Sequence, residues 1–318
     1  MQSIKQFSIK VYLVALSVIA VFLVIIKFTP IDEDNYLYEY NKKIKLLEKT
    51  EAPRIIFIGG SNLAFGLNSK IIEERLNRRV VNFGLHAGIG IKYILEDALE
   101  YIKQDDVVVV TAEYGNYFSG GNGNGETLSN LLVATNFRKI ELFNMHQWIE
   151  LIKGVPRYAY SCYYEAIINS IKKALGKPIY DYSKYNYIAS GFNENGDEVS
   201  HYKYAGEKIY ETKERVNEEV NQEFISWLNN ILNKYEEKGA KVYMMPPVCT
   251  QAVFKSVYNE NISMALKTIN RPYLAEPSTI ALPNNYNFNG GYHVDKEGAK
   301  LNSIHIADAL NFLVDQKR

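Results

Sequence analysis

Three continuous apolar runs constrain the fold of this chain more than any other feature. They are Ile55-Ile56-Phe57-Ile58, Val80-Val81 and Val107-Val108-Val109-Val110. Apolar side chains fill consecutive positions instead of alternating with polar ones, the pattern of strands buried on both faces of a parallel sheet. Helically spaced stretches separate the runs. The expected order is strand 54–58, helix about 68–77, strand 79–83, helix about 90–103 and strand 106–112. Such alternation argues an α/β fold with a parallel central sheet and helices on both faces. Farther on, Val216, Val220, Phe224, Trp227, Ile231 and Tyr235 recur every three or four residues, with Gly239 as a C-terminal cap. Lys241 to Met245 reads as the next strand, stopped by Pro246-Pro247, and Leu301, Ile304, Ala307 and Leu310 mark the apolar face of a final helix.

The first run ends in Gly59-Gly60-Ser61-Asn62, a sharp turn that presents one serine. Near the other end stands Tyr292-His293-Val294-Asp295-Lys296-Glu297-Gly298-Ala299, a histidine just before a helix start. A serine hydroxyl becomes nucleophilic when a base takes its proton, and imidazole titrates in the right range. Ser61 and His293 are therefore the candidate nucleophile and base. The alternatives are a turn serine with a local hydrogen bond and a helix-capping surface histidine.

With these residues in view, the chain resembles the SGNH/GDSL hydrolases. Gly59 to Asn62 is similar to their first block, Val80 to Gly88 to their second, Val107 to Asn116 to their third, and His293 with Gly298 to their last. The matching order and spacing cover residues 54–118 and 240–314. The resemblance implies a three-layer α/β/α flavodoxin-like sandwich for residues 54–318 and acyl transfer through an acyl-enzyme on Ser61. It also implies an oxyanion hole formed by backbone N–H groups at Ser61 and near Ala87 and Gly88, with the Asn116 amide as a further donor.

The sequence departs from the family at two places. The aspartate that ordinarily precedes the histidine is missing from Asn287-Phe288-Asn289-Gly290-Gly291-Tyr292-His293, and Asn289 is the candidate orienting group. An amide can fix the ring's tautomer but supplies no negative charge; the same exchange in a serine protease costs about 10⁴ in turnover. In the third block an ungapped alignment brings Gly115 to the family asparagine's place, with Asn116 one residue late. Glu113, ending the third run, reads either as a functional carboxylate or as a charge at a pocket rim. His86 falls in the second-block loop beside Ser61, where a structural role is the ordinary expectation; His146, His201 and His305 carry no spacing signal.

Apart from Ser17, Val11 to Ile26 is apolar, with Lys10 and Lys27 at its ends. At ~1.5 Å per residue the run covers most of a ~30 Å hydrocarbon core, and terminal lysines can snorkel. Lys5 and Lys10 precede it and Asp32, Glu33 and Asp34 follow it, which predicts a cytoplasmic tail and an extracytoplasmic domain. The run exceeds a usual signal-peptide core and lacks a small-x-small cleavage site, favouring an uncleaved single-pass anchor over residues 1–30. Residues 31–53 then read as a polar spacer helix. Formal net charge is zero, so no nucleic-acid partner is suggested, and no metal or cofactor fingerprint is present. Cys162 and Cys249 lack metal-ligand spacing. Most of the 25 tyrosines are expected to fill core and rim positions, some to stack on sugars.

Residues 119–215 break the alternation. Gly120 to Gly125 is a turn-rich loop, Gly191 to Asp197 reads as paired turns, and a Tyr-rich stretch lies between them. An insertion after the third strand falls at the carboxyl edge of the sheet, where it is either a cap over the substrate or a structural excursion. Three functions follow. One is an O-acyltransferase, or its accessory, acting on envelope polysaccharide or an acylated glycan. The layout is similar to membrane-anchored superfamily members of alginate acetylation and teichoic acid D-alanyl transfer, which implies a multi-pass membrane acyltransferase as partner. The others are an extracytoplasmic carbohydrate esterase and a non-catalytic glycan-binding scaffold.

Overall fold

The computed structural model describes residues 2–28, 34–177, 187–204, 206 and 219–315. The chain is a mixed α/β protein around a parallel four-stranded sheet. Helix α1 (Gln2–Phe28) and α2 (Glu39–Lys49) precede β1 (Ile55–Gly59). Short α3 (Ser61–Gly66) and α4 (Ser69–Leu76) lead to β2 (Val80–Asn82), and α5 (Ile91–Leu99) to β3 (Val107–Thr111). Helices α6 (Asn116–Ser119), α7 (Gly125–Ala134) and α8 (Met145–Ala174) come next, then α9 (Gln222–Glu237) and β4 (Lys241–Met244). Helix Lys296–Asp315 ends the described chain.

The strand order is β2-β1-β3-β4, so β1 lies between β2 and β3. Ile55 pairs with Val80 on one side and Val107 on the other, and Gly59 is level with Thr111. Alternate strand residues serve two separate cores. Ile56, Ile58, Val108 and Val110 pack with α2, α5 and α9, whereas Ile55, Phe57, Val107 and Val109 pack with α4 and the C-terminal helix. Burial on both faces explains the continuous apolar runs.

The expected strand and helix boundaries agree with the observed ones within a few residues. In α9, Asn221 caps the start by accepting from Phe224 N–H (2.9 Å), and Gly239 closes the end at φ 85°. Val216, expected in this helix, lies outside the described residues, as do Asp32, Glu33 and most of the Tyr-rich stretch.

One expectation needs correction. Helix α2 is not a polar spacer: Tyr40, Ile44 and Leu47, with Tyr36 in the turn just before it, form a buried stripe, and Tyr40 Oη donates to Asp97 (2.9 Å). The polar ends of the tyrosines had masked the helical repeat. Arg54, fully buried, ties α2 to the sheet: it pairs with buried Asp106 (3.3 Å) and donates to Thr50 O and Tyr101 O at 2.7 Å each. Helix α1 covers the apolar run and packs on α8, but no helix among the described residues is long and apolar enough to cross a membrane. Cys162 and Cys249 are both free and buried, so they form no disulfide.

Candidate active site

The site forms at the carboxyl ends of β1 and β3, where the chain leaves the sheet in opposite directions. Open α/β sheets bind ligands at such a switch point. Strand β1 runs through Gly59 and Gly60 into α3, whose first residue is Ser61. Gly84, on the loop after β2, packs directly against this turn. A Cβ there would lie 2.4 Å from Leu63 Cβ, so glycine is required for the close approach.

His293 arrives from the far end of the chain on a hairpin in which Asn287–Asn289 pairs antiparallel with His293–Val294. Gly290 and Gly291 hold positive φ, 62° and 77°, in the connecting loop. Asn289 and His293 are directly opposed across the hairpin, which brings their side chains together. The result is a continuous relay. Ser61 Oγ is 2.8 Å from His293 Nε2, and His293 Nδ1 is 2.5 Å from Asn289 Oδ1. With Nδ1 protonated and donating to the amide oxygen, Nε2 is left with the lone pair that faces the serine.

Sequence reasoning missed four further contributors: Tyr187, Glu198 and His201 from the 119–215 insertion, and Phe65 from α3. Tyr187 Oη lies 3.1 Å from His293 Nδ1 and 3.4 Å from Asn289 Oδ1, a second oxygen at the point where a triad carboxylate would sit. Buried His201 pairs with buried Glu198 through Nδ1 (2.5 Å), and its Nε2 is 3.0 Å from Val294 O. This bond braces the strand that carries His293. Phe65 stacks on His293 (centroids 4.3 Å apart) and also touches the His201 ring (4.9 Å). Tyr187 and His201 had no local pattern to reveal them; only the path of the insertion places them here.

Burial holds the His293 pKa down to about 3, and positive potential from His201 and His86 adds to the effect. The imidazole is therefore neutral and able to accept a proton at every pH above about 3. Among the described residues no carboxylate bonds to His293 to neutralise the imidazolium that forms when it does.

The expected oxyanion donors divide. Ser61 N–H opens α3 and has no helical acceptor. Ala87 abuts the nucleophile turn: its Cα would be 3.4 Å from a Cβ on Gly60, and its N–H meets no acceptor among the described residues. Gly88 N–H instead donates to His86 Nδ1 (2.9 Å), which gives His86 a structural role. Asn116 turns back as well, its Nδ2 donating to Glu113 O (3.1 Å). The side chain that the end of β3 delivers to the serine turn is that of Glu113. Its Oε1 lies 2.8 Å from where a Gly60 Cβ would stand.

In comparisons with known proteins, no protein-family model matches the chain and no curated protein matches it in sequence.

Proposed function

We propose that this chain is an SGNH-like serine acyl-transfer protein acting on cell-envelope glycans, an O-acyltransferase or its accessory. The observation that carries the reading is the Ser61–His293–Asn289 relay at 2.8 and 2.5 Å. The strand order β2-β1-β3-β4, with helices on both faces, is in keeping with a three-layer flavodoxin-like sandwich. His293 takes the Ser61 proton as Oγ attacks the ester carbonyl. The tetrahedral oxyanion is met by Ser61 N–H and Ala87 N–H, and His293 returns the proton to the departing alcohol. Attack on the acyl-enzyme by a sugar hydroxyl gives transfer; attack by water gives an esterase. Preorganised donors of this kind contribute about 3–4 kcal/mol each.

The envelope assignment rests on the sequence alone, on the apolar run Val11 to Ile26 and its asymmetric charges, read as a single-pass membrane anchor with the domain outside. A multi-pass membrane acyltransferase is the partner this layout implies. A reporter fused after Arg318 tests the orientation: activity outside the cytoplasm is expected, and cytoplasmic activity removes the envelope argument.

A scaffold that binds glycans without reacting is the second reading. The observation in its favour is that His293 Nδ1 meets an amide and a phenol instead of a carboxylate. Hydrolysis of p-nitrophenyl acetate by the purified chain, compared with Ser61→Ala, separates the two. Ser61-dependent turnover supports acyl transfer, and identical traces support the scaffold.

A further inference from the structure

The Asn116 amide turns back to Glu113 O, and the side chain beside the serine turn is the Glu113 carboxyl. We propose that Glu113 is a further catalytic residue, its neutral carboxyl donating a hydrogen bond to the oxyanion formed on Ser61. The inference rests on the acyl-transfer reading and concerns the same site.

Its geometry follows from the sheet. Gly59 of β1 is level with Thr111 of β3, so the residue two places beyond Thr111 leaves the sheet beside the residue two places beyond Gly59. Those residues are Glu113 and Ser61. The close approach needs glycine at position 60, since a Cβ there would meet Glu113 Oε1 at 2.8 Å and Ala87 Cα at 3.4 Å. Glu113 and Ala87 thus flank one turn, the turn that carries the nucleophile.

Glu113 Oε1 is sealed from solvent and has no hydrogen-bond partner, although the residue as a whole keeps partial exposure. A buried carboxylate oxygen without a partner is costly, whereas a neutral carboxyl carries an O–H ready for an acceptor that arrives later. Burial raises the Glu113 pKa to about 7, and the Asn62 backbone N–H opposes this only in part. The other groups that sense its charge are Cys249 and Tyr36, two buried acids whose own pKa values burial raises, Cys249 to about 12. Among the described residues no cation is an influence on the Glu113 carboxyl, and the Asn62 N–H is the one group that favours its ionised form.

The chemistry balances without a co-reactant. The Ser61 Oγ–carbon bond forms, the carbonyl π pair moves to oxygen, and the serine proton passes to His293 Nε2. Glu113 keeps its proton throughout and only shares it with the oxyanion. Once ionised, Glu113 has no donor to offer and repels the developing charge. Activity should therefore fall as pH rises through its pKa.

The test measures kcat/KM for p-nitrophenyl acetate against pH with the full chain, Glu113→Gln, Glu113→Ala and Ser61→Ala. Wild-type turnover is expected to decline as pH rises through about 7. Glu113→Gln should flatten that decline, because an amide donates at every pH. Glu113→Ala should lower kcat/KM by about 10²-fold, the usual loss for one oxyanion donor. An infrared difference titration supplies a readout apart from turnover: a protonated-carboxyl band should disappear in Glu113→Gln. Ser61-dependent turnover whose pH profile is unchanged in both Glu113 variants overturns this inference alone. Turnover that survives in Ser61→Ala, or is absent from the wild type, overturns the acyl-transfer reading and the inference with it.

Discussion

Ser61 Oγ and His293 Nε2 stand 2.8 Å apart although 232 positions separate the two residues in the chain. Ser61 is delivered by β1 and His293 by the hairpin before the C-terminal helix, and Phe65 stacking on the imidazole fixes the ring's plane. Ser61→Ala should abolish ester turnover while leaving thermal unfolding unchanged within a few degrees. His293→Ala should cost about as much, since members of such a unit are strongly non-additive. Steady-state assays with circular dichroism melts check both.

The amide opposite His293 makes a sharper prediction. Asn289→Asp keeps the hydrogen bond and adds the charge that stabilises the imidazolium, so it should preserve or raise kcat. It should also raise the pKa of His293 from about 3, which nitrogen-15 imidazole shifts would report. Asn289→Ala should lower kcat but leave residual activity, because Tyr187 Oη at 3.1 Å still meets Nδ1. Combining Asn289→Ala with Tyr187→Phe should remove that remainder. A folded but inactive Asn289→Asp counts against Asn289 as the orienting group.

Glu113 and His293 bias stability in opposite directions with pH. Glu113 moves from its ordinary 4.5 to about 7 on folding, so the folded chain holds an extra proton in that window and stability falls as pH rises through it. His293 moves from 6.5 to about 3, so the unfolded chain holds the extra proton and stability falls as pH drops through that range. The two slopes nearly cancel between pH 4.5 and 6.5. Urea denaturation of Glu113→Gln relative to wild type should reveal a relative gain that grows from pH 4.5 to 7, on the order of 3 kcal/mol in total.

A fourth expectation concerns the latch between α2 and the sheet. Arg54 and Asp106 are both fully buried, and Arg54 spends its remaining donors on backbone carbonyls. Removing one partner strands the other charge, so Asp106→Asn should destabilise the fold by about 3–5 kcal/mol. The reading is a shift in the denaturation midpoint with an unchanged slope.

The sheet was legible in the sequence because burial on both faces writes continuous apolar runs; Ser61 stood out in the glycine turn that ends the first run, and His293 as a histidine just before a helix start. Helix α2 was not. Its buried stripe continues from Tyr36 in the preceding turn to Tyr40, and the hydroxyls of these two bond inside the protein to Leu85 O and Asp97 and give the stripe a polar look on paper. The Asn289–His293 contact was readable because a Gly-Gly loop between them invites a hairpin. Tyr187, Glu198 and His201 were not readable, since a long excursion through α7 and α8 brings them back to the site. Asn116 was expected at the oxyanion site from the third-block resemblance, but the turn that starts α6 points its amide at Glu113 O. There the register between β1 and β3 decides, and it selects Glu113.

The most direct measurement of the central claim is covalent labelling of the purified protein by a serine-reactive fluorophosphonate, read by intact mass and peptide mapping. One adduct on Ser61 is predicted, absent from Ser61→Ala and strongly slowed in His293→Ala. A folded protein that takes no label at Ser61, or labels equally well without His293, contradicts the account.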